Sequence, residues 1–471
     1  MDLYWVRSDF RVNNNNALDK VRKNREKKLA LYIYNSEKFH KRSAQKWWLS
    51  QTIIKFEKTL SELGFTFHLL KGDEYEVLKK FVKDYNIKQL YYNKIFEPKE
   101  LELDKKISKY FNLNLKIFVG KSNLLQNPFD VKKSDGTPFQ VFTPFWKNAE
   151  ISYLNNNNVE KPKLKNLKNI NTKDKKISDF VENTILPKKK WHKKFENIWN
   201  PGEKQAIEVL EKFMDQNISN YSKNRDIPSI FGTSKLSPHI AFGEITSETI
   251  YSYFNNIKNK NINHRKFINE IGWREFSYHL LNHFPQIEKR NLRTQFDNFI
   301  WSNDKVKLEK WKKGETGYPI VDAGMRELYE TGWMHNRVRM ITSSFLVKHL
   351  RINWKEGESF FRDSLLDFNV GNNICGWQWV SGCGADAAPY FRIFNPILQG
   401  EKFDKDGLYV KKWIPSLQSI PKKLIHKPWE IDNITAKKIG FVLERDYYKP
   451  IVDHKIARNE ALAAFKKLRS K

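Results

Sequence analysis

The chain has two cysteines, Cys375 and Cys383, in 471 residues. That excludes a disulfide framework and a cysteine-rich metal site, and it fits a reducing compartment. No apolar run is long enough to span a bilayer, and the first residues, MDLYWVRSDF, lack the apolar core of a secretory signal. A cytoplasmic protein with no membrane segment is therefore expected. Acidic residues are few beside basic ones: 54 Asp and Glu against 84 Lys and Arg leave a formal charge of +30, which points toward nucleic acid. The charge has a second source, because the asparagine tracts at 13–16 and 155–158 accompany the lysines, and AT-rich coding drift raises both residue types. No glycine fingerprint follows the first apolar run, and no internal repeat is visible.

What is present implies two domains, since a chain of this length exceeds one ordinary core. Residues 1–150 alternate apolar runs (LYWV, then LALYIY at Leu29–Tyr34, FTFHLL, QLYYN and LKIFV) with amphipathic stretches. One such stretch spaces Leu49, Ile53, Phe56, Leu60 and Leu63 at helical intervals before Gly64. Strands alternating with helices predict a doubly wound parallel sheet of Rossmann-like type. Residues 151–200 turn lysine- and asparagine-rich, as in EKPKLKNLKNINTKDKK and LPKKKWHKKF, and read as a mostly solvated connector. Residues 201–471 carry helical patterns at Glu203–Met214, Glu244–Phe254, Ile268–Phe284, Pro319–Glu330, His335–Leu350 and Gly357–Leu366, so this half is expected to be all-α.

Four constellations carry chemistry. Asp367–Pro396 packs Trp377 and Trp379, an Asn-Asn pair and four glycines into a stretch that reads as too irregular for a simple core helix. Aromatic faces, close backbone approach and the polar ends of Asp367, Asn369 and Asn373 suit a large flat ligand; plain core aromatics are the competing reading. In GWMHNRVRM, Asn336 and Met340 share a helix face beside Arg337 and Arg339. In GTSKLSPHIAFGEIT, hydroxyls and backbone N–H groups ahead of a helix can cradle a phosphate, or merely cap that helix. In NEIGWREFSYHLL, Glu270 and Trp273 lie nearly one turn apart, a carboxylate beside an indole.

Taken in order, these elements resemble the photolyase/cryptochrome flavoproteins, and within them the class I cyclobutane pyrimidine dimer photolyases. The resemblance runs from YWVRSDFR through VFTPFWK to KKWIP, and it is most specific in GETGYPIVDA, GWMHNRVRM and GWQW…DAAPYFRIFNP. It implies a helical FAD-binding domain after the α/β domain, and light-driven splitting of pyrimidine dimers by an electron from reduced, anionic FAD. By similarity, Tyr221 and the run Thr233, Ser234, Lys235, Leu236 and Ser237 take the diphosphate and ribityl side. Asp367 and Asn369 meet the isoalloxazine edge, Arg339 pairs with Asp367, and Asn373 places a neutral amide near N5. Glu270, Trp273, Asn336, Met340 and Trp379 are the residues implied around the flipped lesion. Trp377, Trp354 and Trp301 match the electron relay, and Arg225, Arg337 and Lys402 are implied phosphate contacts on UV-damaged DNA.

The pattern also departs from the family. Arg7-Ser8 replaces an arginine pair, Asn369 stands where an aspartate is common, and Lys99 replaces the asparagine beside Glu100, the position matching a folate-binding carboxylate. An antenna pigment, methenyltetrahydrofolate or a deazaflavin, is implied without a choice between them. No metal is implied, and a monomer is expected. The competing functions are a light-sensing cryptochrome without repair, against which Asn373, Glu270 and Trp273 speak, and a (6-4) photoproduct photolyase, whose histidine pair is here His335-Asn336. A generic DNA-binding module leaves the flavin constellation unexplained.

Overall fold

A computed structural model describes residues 1–111, 115–156 and 175–469. The chain forms two compact units. One gathers Met1–Ile218, Ser234–Pro285 and Leu366–Gly371; the other gathers Ser219–Thr233, Gln286–Leu365 and Asn372–Lys471.

The first unit is built on five parallel strands, β1 (Asp2–Val6), β2 (Lys28–Tyr34), β3 (Thr66–Lys71), β4 (Gln89–Asn93) and β5 (Lys116–Gly120), in the order β3-β2-β1-β4-β5. Side chains alternate faces along a strand, and here both faces are covered. Tyr4, Val6, Ala30 and Tyr32 join one core with Trp47, Trp48 and Leu49 from the helix Ser43–Glu62. Leu3, Trp5, Leu29 and Leu31 join the other with Leu78, Phe81 and Ile107. This is the expected doubly wound sheet, followed by the expected helical half. The same unit holds the 22-residue helix Ile262–His283, which starts in a capping box formed by Asn261 and His264.

Residues 175–199 correct the expectation of a mostly solvated connector. Ile177, Val181 and Ile185 recur at four-residue spacing through Lys175–Ile185 and enter the first core together with Phe195, whose ring meets Trp47 at 5.5 Å. Four apolar anchors among the lysines are enough to dock this stretch. Residues 157–174 of the same connector lie outside the described residues.

The second unit is helical among its described residues. Pro319 opens the helix Pro319–Thr331 and Gly332 ends it in the left-handed region at φ 66°. Buried Asp322 accepts from the backbone N–H of Thr316 (2.8 Å) and Gly317 (3.0 Å) and from the Tyr447 hydroxyl (2.6 Å). The conspicuous GETGYPIVDA run is thus a turn at 314–318, closed by its own aspartate, that leads into this helix.

Lys348 is buried in this unit, its ammonium donating to the Arg392 carbonyl at 2.8 Å. Burial, with Arg392 adding to it, pushes its pKa from 10.5 down to about 7. The folded state therefore disfavours the charged form, at a cost that is absent above pH 10.5, builds as pH falls toward 7 and is constant below. Lys348→Met is expected to raise stability by about 1–4 kcal/mol at neutral pH. The gain fades in alkali, and thermal midpoints taken across that range check it. No described helix is long and apolar enough to cross a membrane.

Candidate functional site

In the first unit the helix Ile262–His283 presents Glu270 and Trp273, both half-buried. Phe142 stacks on Trp273 with centroids 3.9 Å apart and planes 7° from parallel, and Phe276 meets the indole edge-on at 5.9 Å. Asn369 donates Nδ2 to the Tyr278 hydroxyl at 2.6 Å, and Asp367 is buried. Ser234, Lys235 and Ser237 are half-buried and Leu236 is buried. Lys235 has φ 54°, a left-handed bend in a non-glycine residue, and its ammonium lies 5.9 Å from the Trp199 ring centroid. The helix that follows, Ser237–Ala241, has only five residues, so the phosphate reading rests on the bent turn and its hydroxyls rather than on a long helix dipole.

In the second unit Tyr221 is buried and Thr233 half-buried, and the Arg225 guanidinium lies 5.3 Å from the Tyr221 ring centroid. Asn336 is exposed at the start of the helix Asn336–Ser344, while Arg339 donates Nε to the Met334 carbonyl at 2.7 Å. The three expected phosphate contacts converge. Arg337 pairs with Asp226 at 2.8 Å, Arg225 lies 3.9 Å from the same carboxylate, and Arg337 and Lys402 both sit over Phe403. Arg337 also reaches the Met340 sulfur at 3.8 Å. Asp226 offsets part of the positive charge and fixes where it sits, so Arg337 is a held cation rather than a free one.

Asp367–Pro396 contradicts its reading as too irregular for a helix, because Val370–Ser381 is helical. Val370, Ile374, Trp377 and Ser381 are buried at helical spacing, and Gly382, at φ 82°, turns the chain after the last helical residue. The opposite face is open: Asn372 and Gly376 are exposed, Trp379 is half-buried, and a methyl at Gly376 would meet nothing within 4 Å beyond its own helix, while Asn373, four residues before Trp377, is half-buried at the edge of the buried face. Backbone open to a flat ring, flanked by amides, fits a flavin. Asn373 donates Nδ2 to the Glu358 carboxylate at 3.0 Å, and Arg362 pairs with that carboxylate at 2.7 Å. An ion-paired carboxylate only accepts, so the Asn373 nitrogen is tied to Glu358 and its carbonyl oxygen is the end left to offer.

The tryptophans expected to form the relay all lie in this unit. Trp377 is buried against Phe361 (5.0 Å) and Trp311 (6.2 Å); Trp354 is buried and donates to Asn291 at 2.8 Å; Trp301 is half-buried beside Phe299 at 4.5 Å. Trp377 is seated on Gly357, where a Cβ would fall inside the indole. Gly357→Ala is expected to cost about 1–3 kcal/mol by overpacking and to slow light-driven reduction of bound flavin; denaturation and flavin absorbance under illumination check the two effects. Sequence reasoning missed Glu358, Tyr278, Trp311 and the stacking of Phe142, although Phe142 lies within the quoted VFTPFWK.

At the carboxyl ends of β1 and β4 a cavity of about 70 Å³ is lined by Arg7, Lys38, Glu100, Tyr32 and Asn369. Glu100 is buried and contacts both Arg7 and Lys38, and Arg7 also holds Asp104 at 2.7 Å. Burial alone would raise the Glu100 carboxyl, but Lys38 and Arg7 outweigh it and hold it down to about 2. A wider groove of about 1020 Å³ opens beside β4 and β5, lined by Lys94, Phe96, Lys121, Gln126 and Phe129.

Residues 2–165 match the family model described as DNA photolyase, and residues 267–467 match the FAD binding domain of DNA photolyase. A curated protein of Agrobacterium fabrum named Deoxyribodipyrimidine photo-lyase is 40% identical over 98% of this chain and 97% of its own length. The chain belongs to the photolyase/cryptochrome family. Among solved structures, a bacterial class III photolyase from Agrobacterium tumefaciens superposes with a TM-score of 0.92 at 38% identity, covering 100% of this chain and 98% of that one. That match gives no support to the expected class I. Cryptochrome-2 of Arabidopsis thaliana is 31% identical over 99% of this chain and 79% of its own length, so the relatives include cryptochromes as well as photo-lyases.

Proposed function

We propose that the chain is a deoxyribodipyrimidine photo-lyase that repairs cyclobutane pyrimidine dimers in DNA under light. The observation that carries this is the half-buried pair Glu270 and Trp273, one helical turn apart with the indole stacked from behind. A carboxylate with a π-face beside it suits a flipped pyrimidine pair, whose edges accept and donate and whose faces stack. Reduced FAD, when bound, supplies the light-driven electron.

The chain's own residues hold and supply. Tyr221 and Thr233–Ser237 bind the diphosphate and ribityl side, Asp367, Asn369 and Arg339 the ring edge. Asn373, its nitrogen tied to Glu358, offers an uncharged carbonyl rather than an acid, which favours the anionic reduced ring. Trp301, Trp354 and Trp377 carry electrons inward. Trp273 and Trp379 flank the lesion, with Asn336 and Met340 against it, and Glu270 hydrogen-bonds the dimer and steadies its radical anion. Arg225, Arg337 and Lys402 engage phosphates of damaged DNA, which sets a salt-dependent affinity. Residues 1–150 form the antenna-type domain and 201–471 the catalytic domain of a monomer, joined by 151–200, whose residues 175–199 pack into the first core. The groove beside β4 and β5 is large enough for an antenna, methenyltetrahydrofolate or a deazaflavin.

The histidine at 335 weighs against (6-4) repair. It is buried, its Nδ1 accepts from the Arg337 backbone at 3.2 Å, and burial pushes its pKa down to about 4, so it is neutral near pH 7. A panel of oligonucleotides tests the reading: under light the purified, reduced protein removes the cyclobutane dimer and leaves a (6-4) photoproduct intact. Loss of the (6-4) lesion instead, or of neither, overturns it.

A further inference from the structure

We propose that Phe142 is a positioning residue for lesion binding, holding the Trp273 indole at the angle at which a flipped pyrimidine stacks. The inference rests on Trp273 flanking the lesion. Phe142 is buried and nearly parallel to the indole at van der Waals distance, so one indole face is covered by protein, yet Trp273 is still half-buried and keeps surface open for a ligand. An aromatic pair so arranged favours one ring orientation over the alternatives.

The platform behind it is braced. The Trp146 indole N–H donates to Asn269 at 3.1 Å, one residue before Glu270, and a Cβ at Gly272 would come within 2.5 Å of the Trp146 ring. Glu150 takes Arg265 through two hydrogen bonds of 2.6 and 2.8 Å and also accepts from the Tyr251 hydroxyl. With the Phe145 ring 5.1 Å from Phe276, the helix Phe142–Asn156 grips the helix Ile262–His283 on either side of Glu270 and Trp273. The packing has a functional consequence: a segment far from the lesion residues in sequence sets the register of the side chains that read the lesion. It acts through Trp273, and nothing in the geometry makes Phe142 a catalytic residue.

The test uses the flavin-loaded, full-length protein and measures dark binding of dimer-containing and undamaged oligonucleotides by fluorescence anisotropy. Phe142→Leu keeps apolar filling and removes the flat face; it is expected to weaken dimer binding roughly tenfold, with undamaged binding and flavin absorbance unchanged and the melting temperature lowered by only about 2–4 °C. Phe142→Tyr restores affinity. In a Trp273→Ala background the Phe142→Leu change costs nothing further, a coupling that a merely structural role would not give. If Trp273→Ala loses dimer binding while Phe142→Leu binds like the parent, the positioning role is wrong. If Trp273→Ala itself binds like the parent, the placement of Trp273 against the lesion is wrong, a distinct failure.

Discussion

Replacing Trp377 by phenylalanine is expected to abolish light-driven reduction of bound flavin while leaving dimer repair by chemically reduced protein intact. Trp377 is the expected relay residue on the helix that carries Asn373, buried and seated between Gly357 and the rings of Phe361 and Trp311. Phenylalanine fills most of the space but is a far poorer electron donor than an indole. An added barrier of about 2.7 kcal/mol is already a hundredfold in rate, and the loss should reach at least that. Flavin absorbance followed under blue light with an external reductant reads it directly. Unchanged photoreduction would mean that electrons enter by another route, and repair that fails even with dithionite-reduced flavin would show that the substitution disturbs more than the relay.

Arg7→Met is expected to lower stability by about 3–5 kcal/mol, the cost of breaking a buried ion pair from one side. Arg7 is buried at the end of β1 between Glu100 and Asp104, with Lys38 on Glu100 and Lys94 on Asp104 at 2.7 Å. Three cations and three carboxylates, counting Glu74 on Lys38, share one network in which Arg7, Glu100 and Asp104 are buried. Removing Arg7 leaves more negative than positive charge there. Arg7→Met with Glu100→Gln should recover part of the loss, because the orphaned carboxylate goes with it. Urea midpoints followed by far-UV circular dichroism check both, and an unchanged midpoint in the single variant would show that the network contributes nothing net. Acid should erode the same contribution. Glu100 is held below its ordinary value of 4.5, so its share is present above that pH and is lost as pH falls toward about 2.

The strands were legible because apolar runs of five to seven residues, rich in Leu, Tyr and Ile and separated by helical spacing, have few other foldings. The helix Val370–Ser381 was hidden by its asparagines and glycines, which lower helix propensity, although Val370, Ile374 and Trp377 held the period. Tertiary packing outweighed propensity there. The packed part of the connector was hidden by lysines, whose charge dominates composition while Ile177, Val181 and Ile185 decide burial. Candidate site residues were named through resemblance, but their partners could not be. That Asn373 is tied to Glu358, Asn369 to Tyr278 and Trp273 to Phe142 depends on how distant segments meet, which no local pattern encodes. Nor did the sequence indicate that Arg337 is held by Asp226, since the two are brought together only by the fold.

The central claim is light-dependent dimer repair, and one measurement tests it most directly. A thymine-dimer oligonucleotide is incubated with the purified protein carrying reduced FAD, in light and in darkness, and dimer loss is assayed. The account predicts loss of the dimer in light alone, with the DNA strand intact and no net consumption of reductant. Persistence of the dimer in light with reduced flavin bound would contradict it.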